Sequence, residues 1–413
     1  MKILHTSDWH LGHVLYNYDR SREQQAFLRE LAETVRTEQP DVMVVSGDVY
    51  HYANPSSSAQ RMYTEAMLEI HRACEEMSIV VTAGNHDSGQ KLEIDRSLWQ
   101  HFGLHVIGGI YRDADGVDLN RHIIEIKDRE SRTTGYVAAI PHIYPNNFPL
   151  IDDDTPKENR QRLFFQKILD RIAERNTSGL PVVLMAHLAV SGSDTTGHDD
   201  TIGGMDYTDI GDLGWGYDYL ALGHIHRPQT VRSTGGTARY SGSPVPVSFD
   251  EDYRHSVTIA ELRSGEKPEI RTVEIHNPMP LITIPEKPAP FDETLEQLAG
   301  LPDDMSAYVR LNVTADKGLP PDCTELAFKA VEGKECKFCY IKVNRGERVT
   351  AEGAERISVQ ELQEISPIEI ARRYYKESEG EEMDEELASL MEEAVRMTFR
   401  ESHGNSQDTD TSL

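Results

Sequence analysis

The stretch Ile3-Leu4-His5-Thr6-Ser7-Asp8-Trp9-His10 opens with a short strand-like run and passes directly into an aspartate and a histidine two residues apart. The same sentence is written three more times along the chain. Asp41-Val42-Met43-Val44-Val45-Ser46 is an apolar run that ends in Gly47-Asp48, and Ile79-Val80-Val81-Thr82 leads into Gly84-Asn85-His86-Asp87. The run 219–222 leads into Gly223-His224-Ile225-His226, and a further run at 181–186 ends at His187. Apolar runs of this length read as buried strands. Helical spacing appears between them over 21–37, where Phe27, Leu28, Leu31 and Val35 share a face, and again over 59–77. Strands alternating with helices predict an α/β core, and such cores carry their chemistry on loops at the strand ends.

The residue types on those loops narrow the chemistry. Aspartate, asparagine and histidine are ligands for borderline divalent metals, and histidine-rich sets favour Mn²⁺, Fe or Zn²⁺ over Mg²⁺ or Ca²⁺. Asp8, His10, Asp48, Asn85, His187, His224 and His226 are more groups than one ion needs. They suit two ions that share Asp48, with Asp8, His10 and His226 on one side and Asn85, His187 and His224 on the other. Two divalent cations set against two carboxylates leave positive charge for a hydroxide and a phosphodiester. Taken singly, a Gly-Asp or a His-x-His is usually incidental. Here all of them occur together, each at a strand end. Gly47, Gly84 and Gly223 permit the tight turns that bring backbone close to the site.

Composition bounds the rest. The chain has 413 residues and a formal net charge of −28, which at ~150 residues per domain suggests two or three domains. An acidic protein does not attract a phosphate backbone by its overall field, so an anionic substrate must be held by metal ions or a basic partner. No apolar run is long enough to span a membrane, and the N-terminus carries no signal-peptide pattern. Four cysteines are too few for a disulfide framework, and a reducing, cytoplasmic setting is expected. Cys336-Lys337-Phe338-Cys339 lies within a strand pattern and reads as structural rather than as a zinc site.

The ordered set Asp-x-His, Gly-Asp, Gly-Asn-His-Asp, His, Gly-His-x-His resembles the calcineurin-like metallophosphoesterase signature. More narrowly, residues 5–12, Gln25-Ala26-Phe27-Leu28, Ala221 to His226 and Gly242-Ser243-Pro244-Val245-Pro246-Val247-Ser248-Phe249-Asp250-Glu251 resemble the bacterial SbcD family. The last of these segments holds no expected metal ligand and distinguishes that family from general phosphatases. The resemblance implies an α/β fold, a four-layer α/β/β/α sandwich over 1–276. A small α+β capping domain that contacts DNA would follow at 277–375, reached through a proline-rich linker from Asn277 to Pro290. An acidic amphipathic helix and tail at 376–413 would dock a partner. From Lys376 onward there are 3 basic and 12 acidic residues, with Met383, Leu387, Leu390, Met391, Ala394, Val395 and Phe399 on one stripe.

The resemblance further implies a Mn²⁺-dependent DNA nuclease, a 3′–5′ double-strand exonuclease and a hairpin and single-strand endonuclease acting in repair, recombination and replication. Its partners would be DNA, an SbcC-type coiled-coil ATPase and a second copy of the chain, as a homodimer within a heterotetramer. His86 would be the general acid for the leaving 3′ oxygen. Asp87 would orient the His86 ring or stabilise the turn, and His51 and Arg227 are candidate phosphate contacts. A stand-alone metallophosphatase or cyclic-nucleotide phosphodiesterase, and a non-catalytic metal-stabilised scaffold, are the alternative readings.

Overall fold

The computed structural model describes residues 1–113, 116–151, 155–197, 207–233, 235–314 and 318–344. Beyond these it describes Arg372, Tyr375, Met383, Asp384, Leu387, Ala388 and Leu390. Met1–Arg345 form one compact unit and Gly346–Leu413 a second.

The first unit is built on two six-stranded sheets. One has the order β12-β11-β1-β2-β3-β4, where β1 is Lys2–Thr6, β2 Val42–Ser46, β3 Ser78–Thr82, β4 Leu104–Ile107, β11 Ser256–Glu261 and β12 Glu269–Glu274. The other runs β9-β10-β8-β7-β6-β5, with β5 Ile123–Lys127, β6 Thr133–Ala139, β7 Val182–His187, β8 Tyr219–Gly223, β9 Gln229–Val231 and β10 Thr237–Tyr240. The central strands of both sheets are parallel; antiparallel strands close both edges of the second sheet and one edge of the first, whose other edge, β4, is parallel to β3. Strands covered on both faces must be apolar throughout, which explains why every residue of β2, β7 and β8 is buried.

Alternation along each strand then makes three cores. Leu4, Met43, Val45, Ile79 and Val81 face the helices α1 (Ser21–Glu38) and α2 (Ser57–Ala73), meeting Phe27, Leu31, Met62 and Ile70. Ile3, Val42, Val44 and Val80 point the other way, onto Val137, Val183, Met185 and Tyr219 of the second sheet. Ala138, Leu184, Leu220 and Leu222 pack outward on Phe164, Phe165, Ile168 and Ile172 of α3 (Arg160–Arg175). The layers are therefore helix, sheet, sheet, helix, as the resemblance implies. Helix α3 is an addition to the helices expected above, and its buried Phe164, Phe165, Ile168, Leu169 and Ile172 recur at helical spacing.

The remainder of the first unit is a parallel βαβαβ arrangement with its own core of Phe291, Leu298, Val309, Leu311, Val313 and Phe338. Its elements are β13 (Leu281–Ala289), α4 (Phe291–Ala299), β14 (Tyr308–Thr314), α5 (Cys323–Ala330) and β15 (Lys337–Asn344). The stretch expected as a proline-rich linker is thus largely strand. Pro285 and Pro288 are tolerated because β13 is an edge strand with no ladder partner on its outer side. The register slips between Ile284 and Ala289, and the Asn312 amide bridges the gap by donating to the carbonyls of Pro285 and Glu286 at 3.2 Å each. Cys336 and Cys339 are free and buried, and they join different apolar clusters.

Leu15, Phe249, Met279, Tyr308 and Cys339 join the small sheet to the main body. At that joint the Tyr18 hydroxyl donates to the Phe338 carbonyl at 2.9 Å, and Arg310 donates to Asp250 at 2.6 Å. In the second unit Leu387, Ala388 and Leu390 are helical, and the Asp384 carboxylate caps them by accepting from the Leu387 N–H at 2.8 Å. Met383, expected on the same stripe, is described and is not helical, and Met391, Ala394, Val395 and Phe399 lie outside the described residues. Among the described residues no helix is long and apolar enough to cross a membrane.

The two sheets approach most tightly where β2 and β8 end. A Cβ on Gly223 would lie 1.8 Å from the Ser46 carbonyl oxygen, which is backbone and has nowhere to go. Gly223→Ala should therefore lower stability by about 1–3 kcal/mol, the cost of overpacking. Gly109→Ala, whose added Cβ would meet nothing within 4 Å, should change it by less than about 0.5 kcal/mol. Urea unfolding of the two variants checks the contrast.

Candidate metal centre

Each expected ligand follows the carboxyl end of a central strand, and the two sheets aim those ends at one point. Asp8 and His10 follow β1, Asp48 follows β2, Asn85 follows β3, His187 ends β7, and His224 and His226 follow β8. The turns that aim them are strained. Eight non-glycine residues among those described hold a left-handed φ, and four of them are Asp8 (54°), His10 (46°), Asp48 (50°) and His224 (98°). Such conformations cost of order 1–3 kcal/mol each and persist where the surroundings overdetermine them. Backbone ties do this here: the Asp8 N–H donates to the Gly47 carbonyl and the His10 N–H to the Asp48 carbonyl, both at 3.0 Å.

The side chains converge in two overlapping groups. Asp8, His10 and His226 bring ligand atoms within 4.8 Å of one another, and so do Asp8, Asp48 and His187. One Asp48 carboxylate oxygen lies 3.3 Å from His187 Nε2 and 3.8 Å from His10 Nε2, so this residue sits between the two sides. Asn85 Oδ1 is 2.9 Å from His187 Nε2 and 3.0 Å from His224 Nδ1.

Hydrogen bonds at the far side of the rings decide which nitrogens face inward. His187 Nδ1 donates to the Ser46 carbonyl at 2.8 Å, which turns the Nε2 lone pair toward Asn85 Oδ1, another acceptor. His226 Nδ1 donates to the Glu251 carboxylate at 2.9 Å, and its Nε2 faces His10 Nε2 at 3.1 Å. Acceptors this close need a proton or a cation between them. The electrostatics agree. Burial opposes the imidazolium at His187, but Asp48 and Asp8 override it and raise the group to about 9. At His226 burial is likewise outweighed, by Glu251, Asp8 and Asp48, again to about 9. The site asks for positive charge, and the donor set fits divalent metal ions.

Glu251 was not singled out from the sequence as a site residue. It is buried, it also accepts from the Ser243 hydroxyl at 3.1 Å, and it holds His226 in the ligating tautomer. The signal was present in the Gly242 to Glu251 segment, but nothing local says that its final carboxylate reaches back to His226.

The other expected residues divide. His86 lines the cleft with the ligands, its N–H donates to Asp48 at 2.8 Å, and its Nδ1 donates to the His51 carbonyl at 2.8 Å. Asp87 does not orient that ring. Its carboxylate accepts from the N–H groups of Gly84 (2.9 Å), Val49 (3.1 Å) and Tyr50 (2.9 Å), stapling the loop after β3 to the loop after β2. A carboxylate meets three backbone donors more fully than one ring nitrogen, so Asp87 positions the loop that carries Asn85 and His86. His51 lines the cleft and stacks on His86 with ring centroids 5.3 Å apart. Arg227 is not among the residues lining that cleft. Its guanidinium pairs with Asp194 at 3.1 Å and lies over the Tyr253 ring.

A family model described as calcineurin-like phosphoesterase matches residues 1–228. A second, described as type 5 capsule protein repressor C-terminal domain, matches residues 277–379. The SbcD subunit of the SbcCD nuclease of Rhodobacter capsulatus is 33% identical over 362 residues, 84% of this chain and 88% of its own length. That of Escherichia coli K12 is 27% identical over 418 residues, 97% of this chain and 98% of its own. That of Bacillus subtilis 168 is 32% identical over 292 residues, 68% of this chain and 71% of its own.

Removing the carboxylate behind His226 tests the orientation argument. Glu251→Ala should weaken divalent-metal affinity by about 10–100-fold, read by calorimetric titration of the metal-free protein with Mn²⁺. An affinity equal to that of the unaltered protein would show that Glu251 does not set the ring.

Proposed function

Since the chain belongs to the calcineurin-like phosphoesterases and, within them, to the SbcD family, we propose that it is the Mn²⁺-dependent nuclease subunit of an SbcC–SbcD complex. It is a metal-dependent phosphodiester hydrolase, and its substrate in this reading is DNA, shortened from 3′ ends and opened at hairpins during repair, recombination and replication. The observation that carries the reading is the convergence of Asp8, Asp48, Asn85 and four histidines, of which Asp8 and His187 are buried behind a cleft that the others line together with His86.

Divalent cations held by these residues supply the charge that binds a phosphodiester and the acidity that makes water a nucleophile near neutral pH. Asp8, His10 and His226 would hold one, Asn85, His187 and His224 the other, and Asp48 both. The chain's own groups do the rest. His86 delivers a proton to the leaving 3′ oxygen. Its Nδ1 is committed to the His51 carbonyl, so the proton to be given sits on Nε2. Protonation of an alkoxide-like leaving group is worth about 10²–10⁴ in rate. The His86 N–H bond to Asp48 fixes the distance between this acid and the carboxylate shared by the two sides. His51 stacks on the His86 ring, and His10 meets that ring at right angles with centroids 4.9 Å apart.

With a net charge of −28, the chain does not gather DNA by its own field. In this reading the scissile phosphate would be held at the centre formed by Asp8, Asp48, Asn85 and the histidines once it is loaded with cations, residues 277–375 contact the duplex, and a coiled-coil ATPase docked on 376–413 brings most of the basic charge. A second copy of the chain completes a heterotetramer.

The test is end-labelled linear DNA with Mn²⁺ and the purified chain, alone and with its ATPase partner. The unaltered protein should shorten the label. His86→Ala should lower turnover by about 10²–10⁴-fold while Mn²⁺ binding stays within about 2-fold. Full activity in the variant would remove His86 from the mechanism. Hydrolysis confined to small phosphate esters would replace the nuclease reading with a phosphatase.

A further inference from the structure

The cleft that holds the metal-ligating groups has a second wall of a different kind. Besides His10, Asp48, Asn85, His86 and His224 it is lined by Tyr16, Phe249 and Tyr340, in a volume of about 590 Å³. These aromatics come from three separate segments. Tyr16 tips the hairpin between Val14–Leu15 and Tyr18–Asp19, Phe249 lies in the loop before β11, and Tyr340 is in β15. Tyr16 and Tyr340 stack with centroids 4.6 Å apart and planes at 21°, and Phe249 meets Tyr340 edge-on at 5.7 Å.

Phe249 is buried in the joint between the small sheet and the main body, and Tyr340 packs against it. Two observations set Tyr16 apart from a joint residue. Tyr16 keeps 46% of its surface exposed in spite of the stack, whereas the residues that do form the joint, Leu15 and Tyr308, are 4% and 0% exposed. Tyr16 and Asn17 also both hold a left-handed φ, 47° and 70°, as a two-residue hairpin loop of this hand requires. Asn, Asp or Gly fills the first of those positions at low cost, and a tyrosine there is strained. An exposed aromatic held in a strained turn at the edge of a reactive cleft points to a ligand that uses its face.

The wall is also braced. Arg310 donates to the Tyr340 hydroxyl at 3.1 Å, to the Phe249 carbonyl at 3.3 Å and to Asp250 at 2.6 Å. Its guanidinium lies 5.3 Å from the centre of the Phe249 ring and 5.9 Å from that of Tyr340. Rigid rings lose little entropy when a flat ligand settles on them.

We propose that Tyr16, supported by Tyr340 and Phe249, is a stacking platform for an unpaired nucleobase of the strand whose phosphate occupies the metal centre. The proposal rests on the nuclease reading, which already includes single-stranded and hairpin DNA, and adds to it the residues that would recognise an unpaired base. Every base has a π-face, so stacking accepts any sequence, but it requires a base lifted from its partner. The platform therefore selects single-stranded, frayed or looped DNA at the cleavage site.

The test uses the full chain with Mn²⁺ and two single-stranded oligonucleotides. They are identical except that one has an abasic residue in place of the nucleotide next to the scissile bond. The unaltered protein should cleave the base-bearing strand with a kcat/KM about 10-fold higher, in line with the contribution of one stacked base. Tyr16→Ala should bring that ratio to about 1, and Tyr16→Phe, which keeps the ring face, should restore it. Each ratio is taken within one preparation, so it does not depend on the fraction of protein folded. A ratio near 1 in the unaltered protein, or one that persists in Tyr16→Ala, overturns the platform. If the unaltered protein cleaves neither strand yet hydrolyses bis(p-nitrophenyl) phosphate, the nuclease reading itself fails and the platform falls with it.

Discussion

Between Ser46 and Gly223 the two sheets leave no room for a methyl group, and the geometry of the centre follows from that approach. The Ser46 hydroxyl donates across the gap to the Ala221 carbonyl at 3.0 Å, while its own carbonyl receives His187 Nδ1 at 2.8 Å. One residue of the first sheet thus locks the second sheet in register and sets the tautomer of a ligand. The same closeness applies on either side. A Cβ on Gly47 would lie 2.2 Å from His187 Nδ1, and one on Gly84 would lie 2.1 Å from the Asp48 carboxylate. With the strand ends this near each other, short side chains reach a common point from both sheets. The left-handed turns at Asp8, Asp48 and His224 are the local cost of aiming them there.

An acidic protein that handles a phosphate faces a conflict of sign, and the site resolves it locally. Asp8 and Asp48 are fully buried or nearly so, and no lysine or arginine pairs with either of them in the described ion pairs. Histidines stand around them instead. That arrangement draws positive charge onto His187 and His226 when no cation is bound, and it leaves those nitrogens ready for cations. Behind the ligands lies a set of groups whose work is orientation. Glu251 holds His226, the Ser7 hydroxyl donates to Asp8 at 2.5 Å, and Asp87 ties three backbone N–H groups together. Groups of this kind determine how well a site is preorganised, because ligand types alone do not set ring orientation.

The small parallel sheet bears on the centre through its joint with the main body. Arg310 ties β14 to the Phe249–Asp250 loop, and Tyr340 carries the aromatic wall into the cleft. This dependence was the least legible part of the chain. Pro285, Pro288 and Pro290 read as linker because proline breaks a ladder, yet an edge strand needs ladder bonds on one side only. Helix α3, by contrast, carries a local signal, with Phe164, Phe165, Ile168, Leu169 and Ile172 at helical spacing against the sheet beneath it.

Much else was written in local pattern. The buried strands at Val42, Ile79, Val182 and Tyr219, the face of α1, and the candidate ligand positions from Asp8 to His226 follow from periodicity and from polar residues at strand ends. Those signals are short in range: a strand's burial shows in its own run of apolar residues, and a metal-ligand type shows in its own side chain. Tertiary structure alone decided what lies across the gap. Nothing near Glu251 says that it meets His226, nothing near Asp87 says that its partners are Val49 and Tyr50, and nothing near Tyr16 says that Tyr340 stacks on it. Each of those contacts joins elements brought together by packing, over separations of 25 to more than 300 residues. A hydrogen bond or a stacked ring depends on ångström-scale placement of both partners, which only the assembled sheets provide.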